Sequence, residues 1–278
     1  HGQTIYHNPK EKISKQLGNG ILLNQLTKKS IVFNFRKNDI LNGGEGAPLT
    51  PIFHKLIATQ NKIKLPVCFL NIGGISNITI IKNVNDFNDL IELTSRDIGP
   101  GNCLIDSWIR KKSNKKFDRD GTIAMRGDRN EIIFEQAQEL YNNRNNKKNL
   151  SLDTNDFDIS FARGLSLEDG VTTLTDFTAS IIGEELFTCI KKETNEKIQD
   201  IFVCGGGRKN KSLIQKISKN LPSNIKLRLI DEIKINGDFV ESQAFGFLAI
   251  RSILKLPISF PSTTGCQKPC LGGELIKN

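Results

Sequence analysis

Apolar positions along the chain fall into two kinds of run, one alternating with a period of two and one spaced three and four apart, which predicts strands and helices in mixed order. Strand-like runs occupy 30–35, 68–72, 78–81, 90–94, 200–204 and 225–230. Helical spacing joins Phe53, Leu56 and Ile57, then Leu104, Ile105, Trp108 and Ile109, then Ile133, Ala137 and Leu140. A longer set, Leu174, Phe177, Ile181, Ile182, Leu186 and Ile190, continues for about five turns behind the capping pattern S-L-E-D at 166–169. Further helices carry Leu213, Ile214 and Ile217, and Ala244, Leu248 and Arg251. Adjacent strands followed by a helix, then strands that alternate with helices, define an α/β chain with mixed sheets flanked by helices. Trp108 lies on an apolar helix face and reads as core.

Glycine runs punctuate this pattern where chemistry can sit. Gly73 and Gly74 separate two strand-like runs, and a hairpin without Cβ atoms lets backbone N–H groups approach an anion. Asp97 stands just before the turn G-P-G-N and a helix, where a carboxylate is a candidate base. The same residues also suit a tight hairpin and a strand-to-helix turn with no ligand, and spacing alone does not separate the two. Gly205, Gly206 and Gly207 follow a strand and precede a helix, a place where a nucleotide can lie against backbone. The run is neither G-x-G-x-x-G nor G-x-x-x-x-G-K-[ST], so by itself it specifies no nucleotide. The charged loop at 115–122 reads as a surface turn, the Asn- and Lys-rich segment 142–149 as an exposed connector, and Glu241 as an acid that complements a helix dipole. Gly43, Gly44 and Gly46 ahead of Ala47-Pro48 read as a hinge, which places a boundary near residue 48.

Composition narrows the class. The 278 residues carry a net charge of +9, with 37% hydrophobic and 25% charged residues, within the ordinary globular range. The lysines are scattered in pairs such as Lys28-Lys29, Lys111-Lys112 and Lys191-Lys192, with no aromatic-interleaved basic stripe, which argues against a nucleic-acid partner. No apolar run is long enough to cross a bilayer, and the first residues lack a signal-peptide layout. Four of the six cysteines sit in apolar runs, as expected for a cytoplasmic protein. Cys266 and Cys270, spaced C-Q-K-P-C, offer half a metal site without a second pair or a neighbouring His, and no metal is expected there.

Seven motifs in order complete the pattern: H-G-Q-T at 1–4, G-G-E-G-A-P-L at 43–49, N-I-G-G-I-S-N at 71–77, D-I-G-P-G-N at 97–102, F-D-R-D-G at 117–121, V-C-G-G-G at 203–207 and E-S-Q-A-F at 241–245. Together they resemble the anhydro-N-acetylmuramic acid kinase family over the whole chain. The resemblance implies a two-lobed RNase H-like (actin-like ATPase) fold. Residues 1–48 would be the remnant of an incomplete N-terminal lobe. Residues 49–278 would form the C-terminal lobe with an interlobe helix, the phosphate hairpin and the adenosine-side glycine loop. It implies a kinase that uses ATP and Mg2+ to convert 1,6-anhydro-N-acetylmuramic acid and water to N-acetylmuramic acid 6-phosphate in peptidoglycan recycling. Asp97 falls on the family's general base. Glu241, Gly99, Asn102 and Arg36 fall on the sugar side, while Gly73, Gly74, Asn77, Gly205, Gly206 and Gly207 fall on the ATP side. A homodimer, no nucleic acid, no membrane and no resident protein-held metal complete the expectation.

The chain also departs from the family pattern. A first phosphate hairpin of the form G-T-S-x-D-G is absent, so the chain reads as part of a longer protein, expected to be inactive as written. Asn34 stands where the family usually has Asp, and Glu45 replaces the usual Gln. Two alternatives therefore stay open: a related kinase acting on another anhydro sugar, and a non-catalytic sugar- or nucleotide-binding remnant.

Overall fold

In the computed structural model the two kinds of apolar run become nine strands and nine helices among the described residues, which are 1–82, 93–143, 152, 154, 157–194 and 198–278. In chain order they are β1 (Thr4–Asn8), β2 (Ile13–Gln16), α1 (Gly20–Thr27), β3 (Ile31–Phe33), α2 (Lys37–Leu41), α3 (Pro51–Gln60), β4 (Val67–Ile72), β5 (Ile75–Ile81) and β6 (Leu93–Pro100). There follow α4 (Cys103–Lys112), α5 (Glu131–Asn142), α6 (Leu167–Glu193), β7 (Asp200–Cys204), α7 (Lys211–Lys219), β8 (Lys226–Leu229), α8 (Val240–Ile253), α9 (Pro261–Thr264) and β9 (Glu274–Ile276). The chain divides into two units, each discontinuous in sequence: 1–65 with 81–96 and 239–278, and 66–80 with 97–238. No single cut reproduces this division.

The second unit is built on a sheet of order β6-β5-β4-β7-β8. Two residues join β4 to β5, a link that only antiparallel neighbours can make, whereas β4, β7 and β8 run parallel with Leu70 opposite Val203 and Phe202 opposite Arg228. The order third-second-first-fourth-fifth, with the last two strands parallel to the first, is the expected RNase H-like arrangement. Parallel strands covered on both faces read as unbroken apolar runs, and β4 is buried at every position except Asn71. Cys68, Leu70 and Ile72 join Val203, Leu213 and Ile217 in one core, while Phe69 and Phe202 stack on each other with ring centroids 5.7 Å apart.

Helix α6, about 40 Å long at 1.5 Å per residue, contributes to two cores of this unit. Ala179, Ile182, Leu186 and Ile190 join the sheet core, and Val171, Leu174, Phe177 and Ile181 pack with Trp108 and Ile109. Its start is fixed by Ser166, whose hydroxyl accepts the Asp169 N–H at 3.0 Å, and Lys191 and Lys192 complement the dipole in its last turn. In α5 the expected face holds at Ala137, which is buried, and at Ile133, which is half-buried, but not at Leu140. Leu140 is 64% exposed, whereas Ala137 is buried with Phe134 and Tyr141 half-buried beside it. Tyr141, beside Leu140, packs inward instead and meets the Phe177 ring edge-on at 6.0 Å.

The expected strand at 90–94 falls partly outside the described residues. Its described part opens β6, which runs on to Pro100 and so carries Asp97 within the strand. Most of the expected connector at 142–149 also lies outside the described residues. In the first unit Phe35, Leu49, Ile52, Leu248, Ile258 and Phe260 form the core, and His1 stacks on Phe245 at 4.0 Å. β3 pairs antiparallel with β9, Ile31 opposite Ile276, so sequence-distant ends of the chain share one ribbon.

Candidate nucleotide and sugar site

In a sheet of this topology the open crevice lies at the carboxyl ends of the parallel strands, where the connections from neighbouring strands diverge. Here that point is the end of β4, which turns back into β5, and of β7, which runs into the glycine triplet. Three segments meet there. Gly101 N–H donates to Gly74 O at 2.8 Å, Asn102 N–H and its side-chain amide donate to Gly73 O at 2.8 and 3.0 Å, and Cys103 N–H donates to Gly74 O at 3.2 Å. Ser76 Oγ closes the join by donating to Pro100 O at 3.1 Å. The hairpin carbonyls are thus consumed by the G-P-G-N turn. Such close contact requires Gly101, because a Cβ there would lie 2.3 Å from Gly73 O.

The third segment is the triplet. Gly205 has φ +81°, and a Cβ on it would stand 2.5 Å from Asn71 Oδ1 and 2.6 Å from Ile72 O. Gly207 is buried against Ile72, whereas Gly206 faces open space. The expected direct entry from triplet to helix is replaced by a 3₁₀ turn over Gly206–Lys209, and α7 starts only after Asn210, whose side chain accepts the Leu213 N–H at 3.0 Å. The helix terminus is therefore capped by its own residue.

Gly206, Asn102 and Asn210 line a cavity of about 570 Å³, together with Asp106, Phe117, Asp118, Arg119, Asp120 and Lys209. That volume falls within the usual range for small-molecule sites. The loop 115–122, expected to be a plain surface turn, walls this cavity. Asp118 is 5% exposed, and its two oxygens accept the Ile123 and Ala124 N–H groups at 2.8 and 3.0 Å, which fixes the wall. Asp106, on α4 one turn beyond Asn102, has its carboxyl pushed up to about 6, first by burial and further by Asp118, with Arg110 pulling the other way. Sequence reasoning missed it because one Asp on a helix of Leu, Ile and Trp looks like an ordinary solvated position.

Arg208 was missed as well. Its side chain is 4% exposed, and the guanidinium forks onto Asp231, Nε to Oδ2 at 2.8 Å and Nη2 to Oδ1 at 3.2 Å. Nη1 donates to Asp238 Oδ1 at 2.9 Å and to Gly205 O at 3.0 Å. A bidentate fork supplies charge-assisted bonds of defined direction, so Arg208 ties the glycine loop to the segment after β8. The signal in sequence was only the G-G-G-R run itself.

Asp97 is 9% exposed on β6, and its Oδ2 accepts the Leu152 N–H at 2.7 Å. Gly99 is buried, and a Cβ there would lie 2.6 Å from Ile181 Cγ2, so packing on α6 accounts for the missing side chain. Asn77 lies on β5, and its Oδ1 is buried with no hydrogen-bond partner among the described residues.

The remaining expected residues belong to the first unit. Arg36 precedes α2, and Glu241 is exposed in the first turn of α8. Asn34 adopts φ +57°, and its amide donates to Glu274 Oε2 at 3.1 Å. An amide there can bond to a carboxylate that an Asp would repel, so the departure at Asn34 is matched by β9. Glu45 is held through its backbone, N–H to Thr264 O at 2.8 Å and carbonyl to His7 Nε2 at 2.9 Å. Its carboxyl is raised by burial first, with Lys10 lowering it and Asp39 raising it.

A glycine hairpin, an acid-bearing third strand and a glycine turn at the divergence of parallel strands define an RNase H-like, nucleotide-using α/β protein. The chain belongs to the anhydro-N-acetylmuramic acid kinase family, whose model matches residues 1–278. It is 55% identical over 278 residues to the anhydro-N-acetylmuramic acid kinase of Pelagibacter ubique (strain HTCC1062), covering 100% of this chain and 73% of that one. It is 38% identical over 277 residues to the enzyme of the same name from Zymomonas mobilis subsp. mobilis (strain ATCC 31821 / ZM4 / CP4), covering 99% and 71%. Among solved structures it is similar to the activator of the 2-hydroxyisocaproyl-CoA dehydratase from Clostridium difficile, with TM-score 0.41 and 12% identity over 69% of this chain and 64% of that one. No helix among the described residues is long and apolar enough to cross a membrane.

Proposed function

We propose that this chain works in peptidoglycan recycling as the kinase that converts 1,6-anhydro-N-acetylmuramic acid, water and ATP to N-acetylmuramic acid 6-phosphate and ADP. The observation that carries the reading is Asp97. It is positioned by the Leu152 N–H on the strand that leads directly into the turn bonded to Gly73 and Gly74, within a chain matched over its whole length by the family. Asp97 takes a proton from the water that attacks the anomeric carbon. The carbon–oxygen bond of the 1,6-bridge breaks, the freed 6-oxygen accepts the γ-phosphoryl group, and ADP leaves. The Gly74 N–H at the hairpin tip faces the transferred phosphates, the Gly73 N–H being spent on Ile75 O at 3.1 Å, Gly206 borders the nucleoside, and the cavity walled by Phe117 and Asp118 receives it. Asn102 holds the hairpin in shape.

Mg2+ neutralises charge on the β- and γ-phosphates when bound. The chain offers a fitting hard donor in the Asn77 side-chain oxygen on the hairpin's second strand, which has no hydrogen-bond partner among the described residues. Asn77 would bind the ion or one of its waters.

The test is ADP release with the anhydro sugar by the full-length protein, as wild type and as Asp97→Asn. General-base catalysis is worth about 10²- to 10⁴-fold, so turnover should fall by that factor while affinity for a non-hydrolysable ATP analogue stays unchanged. Wild-type turnover in the variant would sink the assignment.

A further inference from the structure

The fold brings together three metal-ligating groups that lie outside the site described above. Asp39 on α2 meets Cys266 and Cys270 from the loop after α9, and one carboxylate oxygen and the two sulfurs all lie within 4.8 Å of one another. All three residues are buried, Asp39 at 1% exposure and each cysteine at 2%. We propose that Asp39, Cys266 and Cys270 bind one thiophilic divalent cation of the Zn2+ type, with water in the fourth position.

The donor set selects the ion. Two thiolates and a carboxylate suit Zn2+, whereas Mg2+ and Ca2+ take oxygen ligands alone. The spacing is also close to what binding needs. With Zn–S about 2.3 Å and Zn–O about 2.0 Å, a tetrahedral ion places its sulfurs about 3.8 Å apart and sulfur and oxygen about 3.5 Å apart. Rotamer adjustments of about 1 Å therefore suffice.

The surroundings are already those of a ligand set. Asp39 Oδ2 accepts the Gly46 N–H and Oδ1 accepts the Thr264 hydroxyl, each at 2.6 Å, which leaves each oxygen a further lone pair in a fixed direction. Both thiols converge on a single acceptor, Lys268 O, at 3.1 Å each. The backbone carrying them is clamped from two sides, by Gln267 N–H to Asn42 O at 3.1 Å and by Cys270 N–H to Ser259 O at 2.9 Å. Binding converts the two thiols to thiolates, and their protons leave to solvent. The bound cation would clip the glycine-rich segment at 43–46 to the C-terminal loop. The C-Q-K-P-C spacing showed only half of this site, because its third donor lies more than two hundred residues earlier in the chain.

The test is Co2+ and Zn2+ titration of the metal-free chain, kept reduced with a phosphine. Wild type should take up one equivalent of Co2+ with a thiolate-to-cobalt charge-transfer band in the near ultraviolet. Cys270→Ser should weaken Zn2+ binding by at least about tenfold, by analogy with the loss seen for weaker outer-shell changes. Cys266→Ala with Cys270→Ala, a pair that keeps the core apolar, should abolish the band. Zn2+ should raise the melting temperature of wild type and not of the double variant. Absence of the band in wild type, or its persistence in the double variant, would overturn the proposal.

Discussion

Removing the Arg208 guanidinium should both destabilise the second unit and loosen its glycine loop. In Arg208→Ala, Asp231 loses a bidentate partner, Asp238 loses one of its two cationic partners and Gly205 O loses a charged donor. The size of the effect lies between two limits. Breaking a fully buried ion pair costs about 3–5 kcal/mol, and an exposed pair contributes about 0–1 kcal/mol. Arg208 is 4% exposed, but Asp231 and Asp238 are 42% and 45% exposed, so water re-solvates both carboxylates once the guanidinium is gone. The loss should therefore be about 2 kcal/mol, mostly from the buried Arg side, its packing and the unsatisfied Gly205 carbonyl. Urea unfolding followed by Trp108, the chain's single tryptophan and a buried residue of this unit, measures it directly. Affinity for a non-hydrolysable ATP analogue should drop about tenfold, equivalent to 1.4 kcal/mol, because the loop must be ordered again on binding. Arg208→Lys should recover little, since an ammonium cannot make the fork. The pH dependence provides a second check. Arg208 holds the Asp231 carboxyl below the usual carboxylate range, so its contribution is present above the unfolded carboxylate value and lost as pH falls through the folded one. Arg208→Ala should flatten that acid limb. If the variant loses less than about 0.5 kcal/mol and binds nucleotide like wild type, the loop is held by its glycine geometry alone and the tether argument fails.

Two more substitutions and one titration test other joints of the fold. Gly205→Ala places a methyl 2.5 Å from Asn71 Oδ1 at φ +81° and should cost at least about 2 kcal/mol. Gly206→Ala, which meets nothing within 4 Å, should leave stability unchanged, so a selective loss of nucleotide affinity there would report ligand contact; equal destabilisation by the two would refute the packing account. Burial pushes the His54 imidazole down from 6.5 to about 4. Its neutral form is the folded one, so stability should be full above pH 6.5 and fall by about 3 kcal/mol as pH drops to about 4. Denaturation midpoints across that range check this, and a His54→Gln variant with the same slope as wild type would assign the loss to other groups.

The parts of this molecule that were legible in its sequence are those in which local pattern and tertiary contact demand the same thing. The core of β4 and the long face of α6 are buried on all the positions their spacing marked, and the G-G hairpin and the strand ending at Cys204 fall where the punctuation put them. Where two demands compete, the pattern misleads. In α5 Tyr141 packs inward in place of Leu140, and at 205–210 a glycine triplet needed for close approach to β4 delays the helix to the next good cap, Asn210. The site was legible only as separate motifs, because its geometry rests on long-range bonds, Asn102 to Gly73 and Arg208 to Asp231.

That difference suggests how the phosphate hairpin is kept in shape. A two-glycine hairpin is conformationally permissive and would sample many backbone states. Here its two carbonyls are occupied by four donors from 101–103, while its far strand is fixed through Ser76. The peptide planes that carry the Gly74 and Ile75 N–H groups are thus held by the same turn that follows Asp97, while the Gly73 N–H is spent on Ile75 O at 3.1 Å. A substitution at Asn102 should therefore disturb phosphate binding through the hairpin, on which the residue acts through Gly73 O, besides altering the cavity wall that it lines. If Asn102→Ala raised the KM for ATP while leaving the KM for the sugar unchanged, positioning of the hairpin would be its role, and a change confined to the sugar would place it on the substrate side that the family resemblance assigned.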